Sequence, residues 1–447
     1  MSVKITFIGA GSTVFMKNII GDVLHFPALV DAEIALMDID ASRLEESAAI
    51  ACKMVAKMKV GVTVSTTMNQ RAALERADFV VVAFQIGGYQ PCTVTDFDIP
   101  KQYGLRQTIA DTLGIGGIMR GLRTVPHLLQ VAADMTEICP NALMLQYVNP
   151  MAINTWALAE RYPHVKQVGL CHSVQNTLEE LAHDLDLPKS EIECRVAGVN
   201  HVAFFLNLEH RGQSLYPHLR GGYHAGVLPK PPLLMSRCVN KVRYEVMDQI
   251  GYFCTESSEH LAEYVPWFIK EGRDDLIRDF AIPLDEYPMR CLEQQADWAA
   301  QARALDKQLE IPVEKSHEFA ADIMNAVVTN TPYVIYGNLP NTGQMPQLPM
   351  GAAVEVSCLV DRDGVQPSVV SDIPPQLVAL MRTQINVQEL VVRALVDEDV
   401  EHIYHAAMMD PHTAAELDLR QIRSMVDDLL VAHGDWLPEF ARKRKAA

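Results

Sequence analysis

The sequence predicts an α/β fold: an N-terminal Rossmann-like, doubly wound parallel sheet followed by a C-terminal α+β domain. Two observations support this prediction. Over roughly the first 150 residues, short apolar runs alternate with helical patterns, as a parallel sheet with crossover helices requires. In addition, the glycine-rich turn at residues 9–13 follows the first apolar run directly and opens a helix.

The elements of the first part follow from apolar runs and helical periodicity. Two runs, 79–84 and 143–148, are almost entirely apolar, so we place them as central strands buried on both faces. The predicted strands are 5–8, 34–37, 62–65, 79–84 and 143–148. The predicted helices are 13–24, 43–58, 71–77, one that begins near Ile118, and 175–185.

The second part has a different pattern. Residues 203–208 predict a strand of a second, partly antiparallel sheet, and 213–234 are predicted to be irregular because they are rich in Gly, Pro and His. From Gln376 onward amphipathic helices dominate. We therefore divide the chain into a dinucleotide-binding domain, 1–195, and an α+β substrate- and metal-binding domain, 196–447.

Composition limits the classes of function. Hydrophobic residues make up 49% and charged residues 21%, which is typical of a globular protein, and the formal net charge is −18. This charge disfavours nucleic acid and anionic membranes as partners. The N-terminus has no signal-peptide pattern, and the nine scattered cysteines are expected to be reduced thiols. We predict a cytoplasmic location.

The glycine turn predicts a dinucleotide site. Gly9 allows a tight turn, and Gly11 lets a pyrophosphate approach the helix N-terminus, although Val14 stands where a third glycine is expected. Asp38, at the end of the second strand, favours NAD over NADP, while Arg43 leaves NADP open. The alternative is an ordinary structural turn. The candidate cofactor-binding residues are Gly9, Gly11, Ser12, Thr13, Asp38 and Gln85.

Cys171 and His201 are candidate metal ligands. A thiolate and a neutral imidazole bind Mn, Zn or Fe, and two protein ligands leave positions open for substrate. Their spacing matches no recognised finger pattern, so a buried Cys and a packed His are the alternative. The neighbouring His172 has three possible roles: it is a candidate proton donor, a residue that contacts the metal ligands without binding the metal, or a packed side chain.

Polar residues at strand ends are candidates for ligand contact, because the carboxyl ends of parallel strands face the crevice of an open sheet. Gln85 and Asn149 end the two central strands, and each has strand capping as its alternative role. Asp111 precedes a glycine-rich stretch before a helix, where it is a candidate catalytic carboxylate or a helix cap.

Residues 251–268 combine titratable and aromatic groups that suit sugar binding. Tyr252, Glu256 and His260 are the candidate active-site residues there. A helix start with Thr255 or Ser257 as its cap explains part of this pattern without any function.

The motifs at 7–12, 147–151, 169–173 and 198–201 resemble family 4 of the glycoside hydrolases. Residues 85–89, 171–175 and 255–260 resemble the bacterial α-galactosidase branch of that family. The likeness extends over essentially the whole chain, including 405–412 near its end.

The resemblance implies dependence on NAD and on Mn²⁺ or another divalent metal, with Cys171 and His201 as metal ligands and the glycine turn as the NAD site. Asn149 and Asn200 are our candidate substrate contacts. It also implies a redox-elimination mechanism. Sugar C3 is oxidised by NAD, the C2 proton is removed, the aglycone leaves, water adds and the hydride returns. Phospho-sugar hydrolases of the family have an acidic residue where this chain has His172. The candidates for the acid and base roles are Asp111, His172, Tyr252, Glu256 and His260.

We therefore predict an α-galactosidase acting on unphosphorylated, melibiose-like sugars, and expect a homodimer or homotetramer. Alternatives within the family are an α-glucosidase or an α-galacturonidase, the latter requiring a local cation for the uronate. Outside it, the alternatives are a lactate- or malate-type NAD dehydrogenase and a catalytically silent NAD-binding regulator.

Overall fold

The computed structural model describes residues 2–12, 15–232, 238–306 and 313–442. Within these ranges the strands are β1 (Lys4–Ile8), β2 (Glu33–Met37), β3 (Thr63–Thr67), β4 (Phe79–Val82), β5 (Leu143–Gln146), β6 (Lys166–Gly169), β7 (Ile192–Val199), β8 (Val202–His210), β9 (Gln213–Ser214), β10 (Tyr333–Pro340), β11 (Ala353–Asp361) and β12 (Gly364–Pro367).

The α-helices of the described ranges are α1 (Phe15–Val23), α2 (Ala41–Met58), α3 (Gln70–Leu74), α4 (Val94–Gln102), α5 (Gly114–Ile138), α6 (Met151–Arg161), α7 (Ser173–Leu185), α8 (Tyr216–His224), α9 (Lys241–Ile250), α10 (Ser258–Tyr264), α11 (Asp274–Asp279), α12 (Glu286–Asp306), α13 (Ala320–Thr329), α14 (Pro375–Asp397), α15 (Glu401–Met409), α16 (Pro411–Glu416) and α17 (Leu419–His433).

The first six strands form the predicted Rossmann-like sheet. Their order is β3-β2-β1-β4-β5-β6, and every pairing among them is parallel. Side chains of β1 alternate between two hydrophobic clusters: Ile5 and Phe7 belong to one, and Ile8 to the other. Helices therefore cover both faces of the sheet, and the prediction of a doubly wound α/β fold is confirmed.

The prediction of a second, separate sheet is wrong. The order continues β6-β10-β11-β7-β8-β9 with antiparallel pairings, so β8 belongs to the same sheet as β1. The two halves join at one register pair, Gly169 of β6 with Asn338 of β10. Local periodicity could not reveal this junction, because β10 lies far from β6 along the chain.

Several boundaries differ from their predictions. The segment 213–234, predicted to be irregular, contains β9 and α8. Helix α5 begins at Gly114 rather than near Ile118. The division at 195/196 stays a prediction, and the sheet itself continues across it.

All nine cysteines are free. Among the described helices, none combines the length and apolar character that crossing a bilayer requires.

Helix α5 packs tightly on the loop before it, which carries Asp111. A Cβ added at Gly117 would lie 2.6 Å from the carbonyl oxygen of Thr112, whereas a Cβ at Gly221, inside α8, would meet nothing within 4 Å. We expect Gly117→Ala to lower the free energy of unfolding by about 1–3 kcal/mol through overpacking. The matched control Gly221→Ala should be neutral or stabilising by up to about 1 kcal/mol. Urea unfolding of both variants measures this, and equal effects would contradict the tight packing.

Candidate functional site

The candidate residues gather at one edge of the sheet. The first six strands are parallel, so their carboxyl ends lie together and form the crevice where ligands bind in such folds. Five strand ends carry predicted site residues: Gly9 after β1, Asp38 after β2, Gln85 after β4, Asn149 after β5 and Cys171 after β6.

The glycine turn has the geometry of a dinucleotide site. Gly9 has a φ of +87°, and a Cβ there would lie 2.5 Å from the carbonyl oxygen of Ala83. The backbone N–H of Gly11 donates to Asp38 Oδ2 at 2.7 Å, and a Cβ at Gly11 would approach that oxygen to 2.8 Å. Position 9 therefore requires glycine, and a side chain at Gly11 would displace the Asp38 carboxylate from its bond to the turn.

The surroundings of Asp38 suit the adenosine half of a dinucleotide. Its Oδ1 accepts the backbone N–H of Asp40 at 2.9 Å, which fixes the carboxylate at the crevice. The next residue, Ile39, is 82% exposed, an unusual position for a large apolar side chain. Arg43 Nη1 lies 3.3 Å from the carbonyl oxygen of Gly11, so this guanidinium turns back onto the glycine turn.

Two other predicted cofactor contacts border this turn. The backbone N–H of Ser12 donates to the carbonyl oxygen of Gly9 at 3.1 Å. Gln85, after β4, donates from Nε2 to Thr93 Oγ1 at 3.0 Å, so its amide is anchored at the same sheet edge. Thr13 lies outside the described residues.

Cys171, His201 and Glu256 form a compact group of metal-ligand atoms. Their donor atoms all lie within 4.8 Å of one another, and His201 Nε2 is 3.2 Å from Glu256 Oε2. The other ring nitrogen, His201 Nδ1, lies 3.0 Å from the hydroxyl of Tyr264, which orients the imidazole. The structure thus adds a carboxylate, predicted only as an acid or base, to the predicted pair of ligands.

The electrostatics of this group fit a bound cation. Burial lowers the pKa of His201, but the charge of Glu256 and the hydrogen bond and charge of Cys171 outweigh it and raise the pKa to about 10. Burial likewise raises the pKa of Glu256, yet the charge of His201 brings it below its usual value. A site that stabilises positive charge so strongly, with S, N and O donors, suits a divalent metal.

His260 lies beside the metal-ligand group. Its ring stands edge-on to His201 with 5.1 Å between centroids, and its Nδ1 is 3.5 Å from Glu256 Oε1. Ser257 Oγ lies 2.6 Å from the same Nδ1. Ser257 occupies the N-cap position of α10, but its side chain makes no capping hydrogen bond. The capping alternative therefore does not account for this hydroxyl.

Asp111 also belongs to the site rather than to a helix cap. The N-cap of α5 is Leu113, while Asp111 accepts hydrogen bonds from Thr112 Oγ1 at 2.7 Å and Asn149 Nδ2 at 3.2 Å. Arg120 Nη1 lies 3.8 Å from its Oδ2. Burial raises the pKa of Asp111, but the Arg120 guanidinium and nearby charges hold it below its usual value.

The loop before Asp111 is held by a carboxylate that sequence reasoning missed. Glu263 of α10 accepts backbone N–H groups from Thr108 at 2.7 Å, Ala110 at 2.7 Å and Ile109 at 3.2 Å. These bonds position a loop in which Ala110 has a φ of +51°. The sequence offered no signal for this contact, because α10 and the loop are far apart along the chain.

His172 faces away from the metal ligands, toward the glycine turn. Its ring stacks with Phe15, the first described residue after the turn, and with Tyr147, both at 6.0 Å between centroids. Its Nε2 lies 2.6 Å from Glu318 Oε2. His172 is thus an imidazole that a carboxylate orients and that stacks on Phe15 at the start of α1.

Comparisons with known proteins identify the family of this chain. A sequence model described as family 4 glycosyl hydrolase matches residues 4–187, and one described as the C-terminal domain of that family matches residues 196–413. This chain belongs to family 4 of the glycosyl hydrolases.

Family 4 relatives align over almost the whole chain. An α-galactosidase of Bacillus subtilis (strain 168) is 46% identical, with 98% of this chain and 99% of the relative covered. An α-galactosidase of Rhizobium meliloti (strain 1021) is 32% identical, with 100% and 91% covered. The solved structure of a 6-phospho-α-glucosidase from gut microorganisms, in complex with NAD and Mn²⁺, has a TM-score of 0.84 at 19% identity and covers 98% of this chain and 100% of its own.

Two predicted residues of this family 4 chain remain apart from the contacts described above. Asn200 is fully buried, and its amide has no hydrogen-bond partner within the described residues. Tyr252 packs its ring against Tyr216, with 5.8 Å between centroids. The structure therefore places Glu256 within the metal-ligand group and Asp111 and His260 near it. It packs Tyr252 against another aromatic ring.

The ion pair between Arg120 and Asp111 is buried, so removing the cation should be costly. We expect Arg120→Met to lower the free energy of unfolding at pH 7 by about 3 kcal/mol, because Asp111 is left as an unpaired buried charge. A carboxyl group whose pKa is lower in the folded than in the unfolded state stabilises the fold at pH values above its unfolded pKa. This stabilisation is lost as the pH falls through the folded pKa. The penalty should therefore shrink at pH 4, where Asp111 of the variant can protonate.

Urea unfolding at pH 7 and pH 4 measures this difference. The matched control is Arg211→Met, which removes an exposed cation paired with Glu191 and should change stability little at either pH. A penalty for Arg120→Met that does not change with pH would mean that Asp111 is not the group stabilised by Arg120.

Proposed function

We propose that this family 4 protein is an NAD- and Mn²⁺-dependent α-galactosidase that acts on unphosphorylated α-galactosides such as melibiose. The observation that carries the proposal is the group of donor atoms from Cys171, His201 and Glu256 at the sheet edge that also bears the glycine turn. The full-length likeness to two α-galactosidases supports the substrate class.

Each cofactor has a matching set of residues. Gly9, Gly11, Ser12, Thr13, Asp38 and Gln85 would hold NAD, and Cys171, His201 and Glu256 would hold the metal. When bound, NAD would exchange a hydride with sugar C3, and Mn²⁺ would polarise the sugar oxygens at C2 and C3. Asn149, anchored on Asp111, and the unpartnered amide of Asn200 would orient sugar hydroxyls.

The contacts divide the candidates for proton transfer. His172, held by Glu318 at 2.6 Å, can carry a proton at a ring nitrogen toward the departing aglycone oxygen. His260, beside the metal-ligand group, can take the C2 proton. Arg120 keeps the pKa of Asp111 low, so that carboxylate suits a hydroxyl contact better than a base. Tyr252 packs on Tyr216 and receives no role in proton transfer.

The charges around the site favour a neutral sugar. A uronate or a phosphate needs a cation that is not already neutralised. Arg120 lies against Asp111 at 3.8 Å, and Arg290 donates to Glu259 at 2.6 Å and to Glu286 at 2.9 Å. These two guanidinium groups are therefore matched by carboxylates. The pairing argues against an α-galacturonidase, whereas an α-glucosidase differs in substrate only at C4.

Hydrolysis of p-nitrophenyl α-galactoside tests the proposal. With a reductant present, we expect p-nitrophenol release to require both NAD and Mn²⁺ and no NADH to accumulate, because the hydride returns to the sugar in each turnover. The matched control substrates are the α-glucoside and the α-galacturonide. Stoichiometric NADH would indicate a dehydrogenase instead, and hydrolysis by thoroughly cofactor-stripped protein would contradict the mechanism.

A second test separates a metal-ligand role for Glu256 from an acid–base role. We expect Cys171→Ser and Glu256→Gln each to weaken Mn²⁺ binding by about tenfold or more, measured from the spin-resonance signal of free Mn²⁺. The control Glu245→Gln alters a carboxylate that accepts a bond from Tyr223, and it should bind Mn²⁺ as the wild type does. Unchanged binding by Glu256→Gln, with activity lost, would return Glu256 to the acid–base candidates.

The cytoplasmic location and the homodimer or homotetramer stay predictions from the sequence. We retain the cytoplasmic location because the proposed reaction needs NAD, which a substrate would meet inside the cell. Sedimentation of the purified chain measures the oligomeric state.

A further inference from the structure

A row of buried residues crosses the sheet where its two halves join. Gly169 of β6 pairs with Asn338 of β10, Asn338 with Glu355 of β11, and Glu355 with Gly198 of β7. Directly paired residues of neighbouring strands point to the same face. The two glycines at the ends of this row lie close to the metal ligands: Cys171 is two residues beyond Gly169, and His201 three beyond Gly198.

The two side chains in the middle of the row bind each other. Asn338 Nδ2 donates to the carbonyl oxygen of Gly169 at 3.3 Å and to Glu355 Oε1 at 3.4 Å. Both residues are fully buried. A Cβ at Gly169 would lie 3.0 Å from Asn338 Cβ, so glycine there leaves the room that the amide occupies. Asn338 thus ties the strand that leads to Cys171 to the strand that carries Glu355.

Burying a carboxyl group at position 355 lowers the stability of the fold unless another interaction compensates for it. Glu355 has Asn338 as its hydrogen-bond partner, and its Oε2 is buried without one among the described residues. Burial raises the pKa of Glu355 to about 7, with the charge of His201 acting in the opposite direction. A glutamine would accept the same bond without the cost of burying a charge. The carboxyl therefore calls for a reason beyond packing.

The metal-ligand group supplies that reason. The charges of both His201 and Glu256 act on Glu355 across the low-dielectric interior, so a divalent cation held by these residues would be attracted by a carboxylate at 355. Groups outside the ligand set that hold metal ligands in place strengthen a site, and their loss typically weakens metal binding about 10- to 100-fold.

We propose that Glu355 is a positioning residue of the metal site. Through Asn338 it fixes β6, which leads to Cys171, relative to β11, which pairs with the strand leading to His201, and its negative charge strengthens binding of the divalent cation. This inference rests on the metal site of the proposed function. It goes beyond that site because Glu355 touches neither the sugar nor the cation.

The test is Mn²⁺ binding to the full-length protein without NAD or sugar, measured from the spin-resonance signal of free Mn²⁺. Glu355→Gln keeps the shape and the bond to Asn338 but removes the charge, so Mn²⁺ affinity should fall by about tenfold or more. Glu355→Asp keeps the charge and should bind more tightly than Glu355→Gln. A purely structural role would lower the melting temperature of Glu355→Gln and leave its Mn²⁺ affinity unchanged.

The matched control is Asp184→Asn, which neutralises another buried carboxylate. Asp184 accepts bonds from Tyr244 and from the backbone of Lys230, so its loss should affect stability without affecting Mn²⁺ affinity. Wild-type affinity in Glu355→Gln would overturn the inference while leaving the metal site intact. Should Glu355→Gln fail to fold, Asn338→Leu replaces it: this variant removes the amide that joins Gly169 to Glu355, so a loss of Mn²⁺ affinity supports the inference and wild-type affinity overturns it. Absence of Mn²⁺ binding by the wild type would overturn the metal site itself.

Discussion

The candidate site depends on one sheet pairing, the register between Gly169 and Asn338. It joins the parallel half of the sheet, which carries the glycine turn, to the antiparallel half, which carries the turn containing His201. Without this pairing the strands leading to Cys171 and His201 would belong to separate sheets, joined by the helices packed on both. The buried Asn338 side chain stabilises the pairing because its amide bonds to the Gly169 carbonyl and to the next strand.

The site contains several buried charges. Burial opposes the charged forms of Asp111, His201 and Glu256, yet each remains charged because an opposite charge stands beside it. Such pairs contribute little net stability, and breaking one leaves a charge uncompensated in the interior. The site is therefore held in its arrangement by electrostatic matching, which is also what prepares it for a divalent cation.

The sequence predicts the parts of this site that depend on local chain direction. Gly9, Asp38, Asn149 and Cys171 follow apolar strands, and parallel strands bring their ends to one edge whatever the rest of the fold does. Contacts across long loops leave no such pattern. Glu318 meets His172, and Glu263 meets the loop at 108–110, only through the tertiary fold. For the same reason the sequence did not predict that the two halves form one sheet, since β10 lies far from β6 along the chain.

Two consecutive residues after β6 connect the two halves of the site. The Cys171 thiol turns toward His201 and Glu256, while the His172 ring turns toward Phe15 and the glycine turn. His172 is the N-cap of α7, with φ of −89° and ψ of −3°, so the chain turns there and the two side chains separate. One strand end can therefore serve a metal site and a dinucleotide site at once. A reaction in which one sugar ring exchanges a hydride at C3 and loses a proton at C2 needs this closeness. Under the proposed mechanism, any shift of β6 would disturb both half-reactions together, and the buried hydrogen-bonded row at Gly169 and Asn338 opposes such a shift.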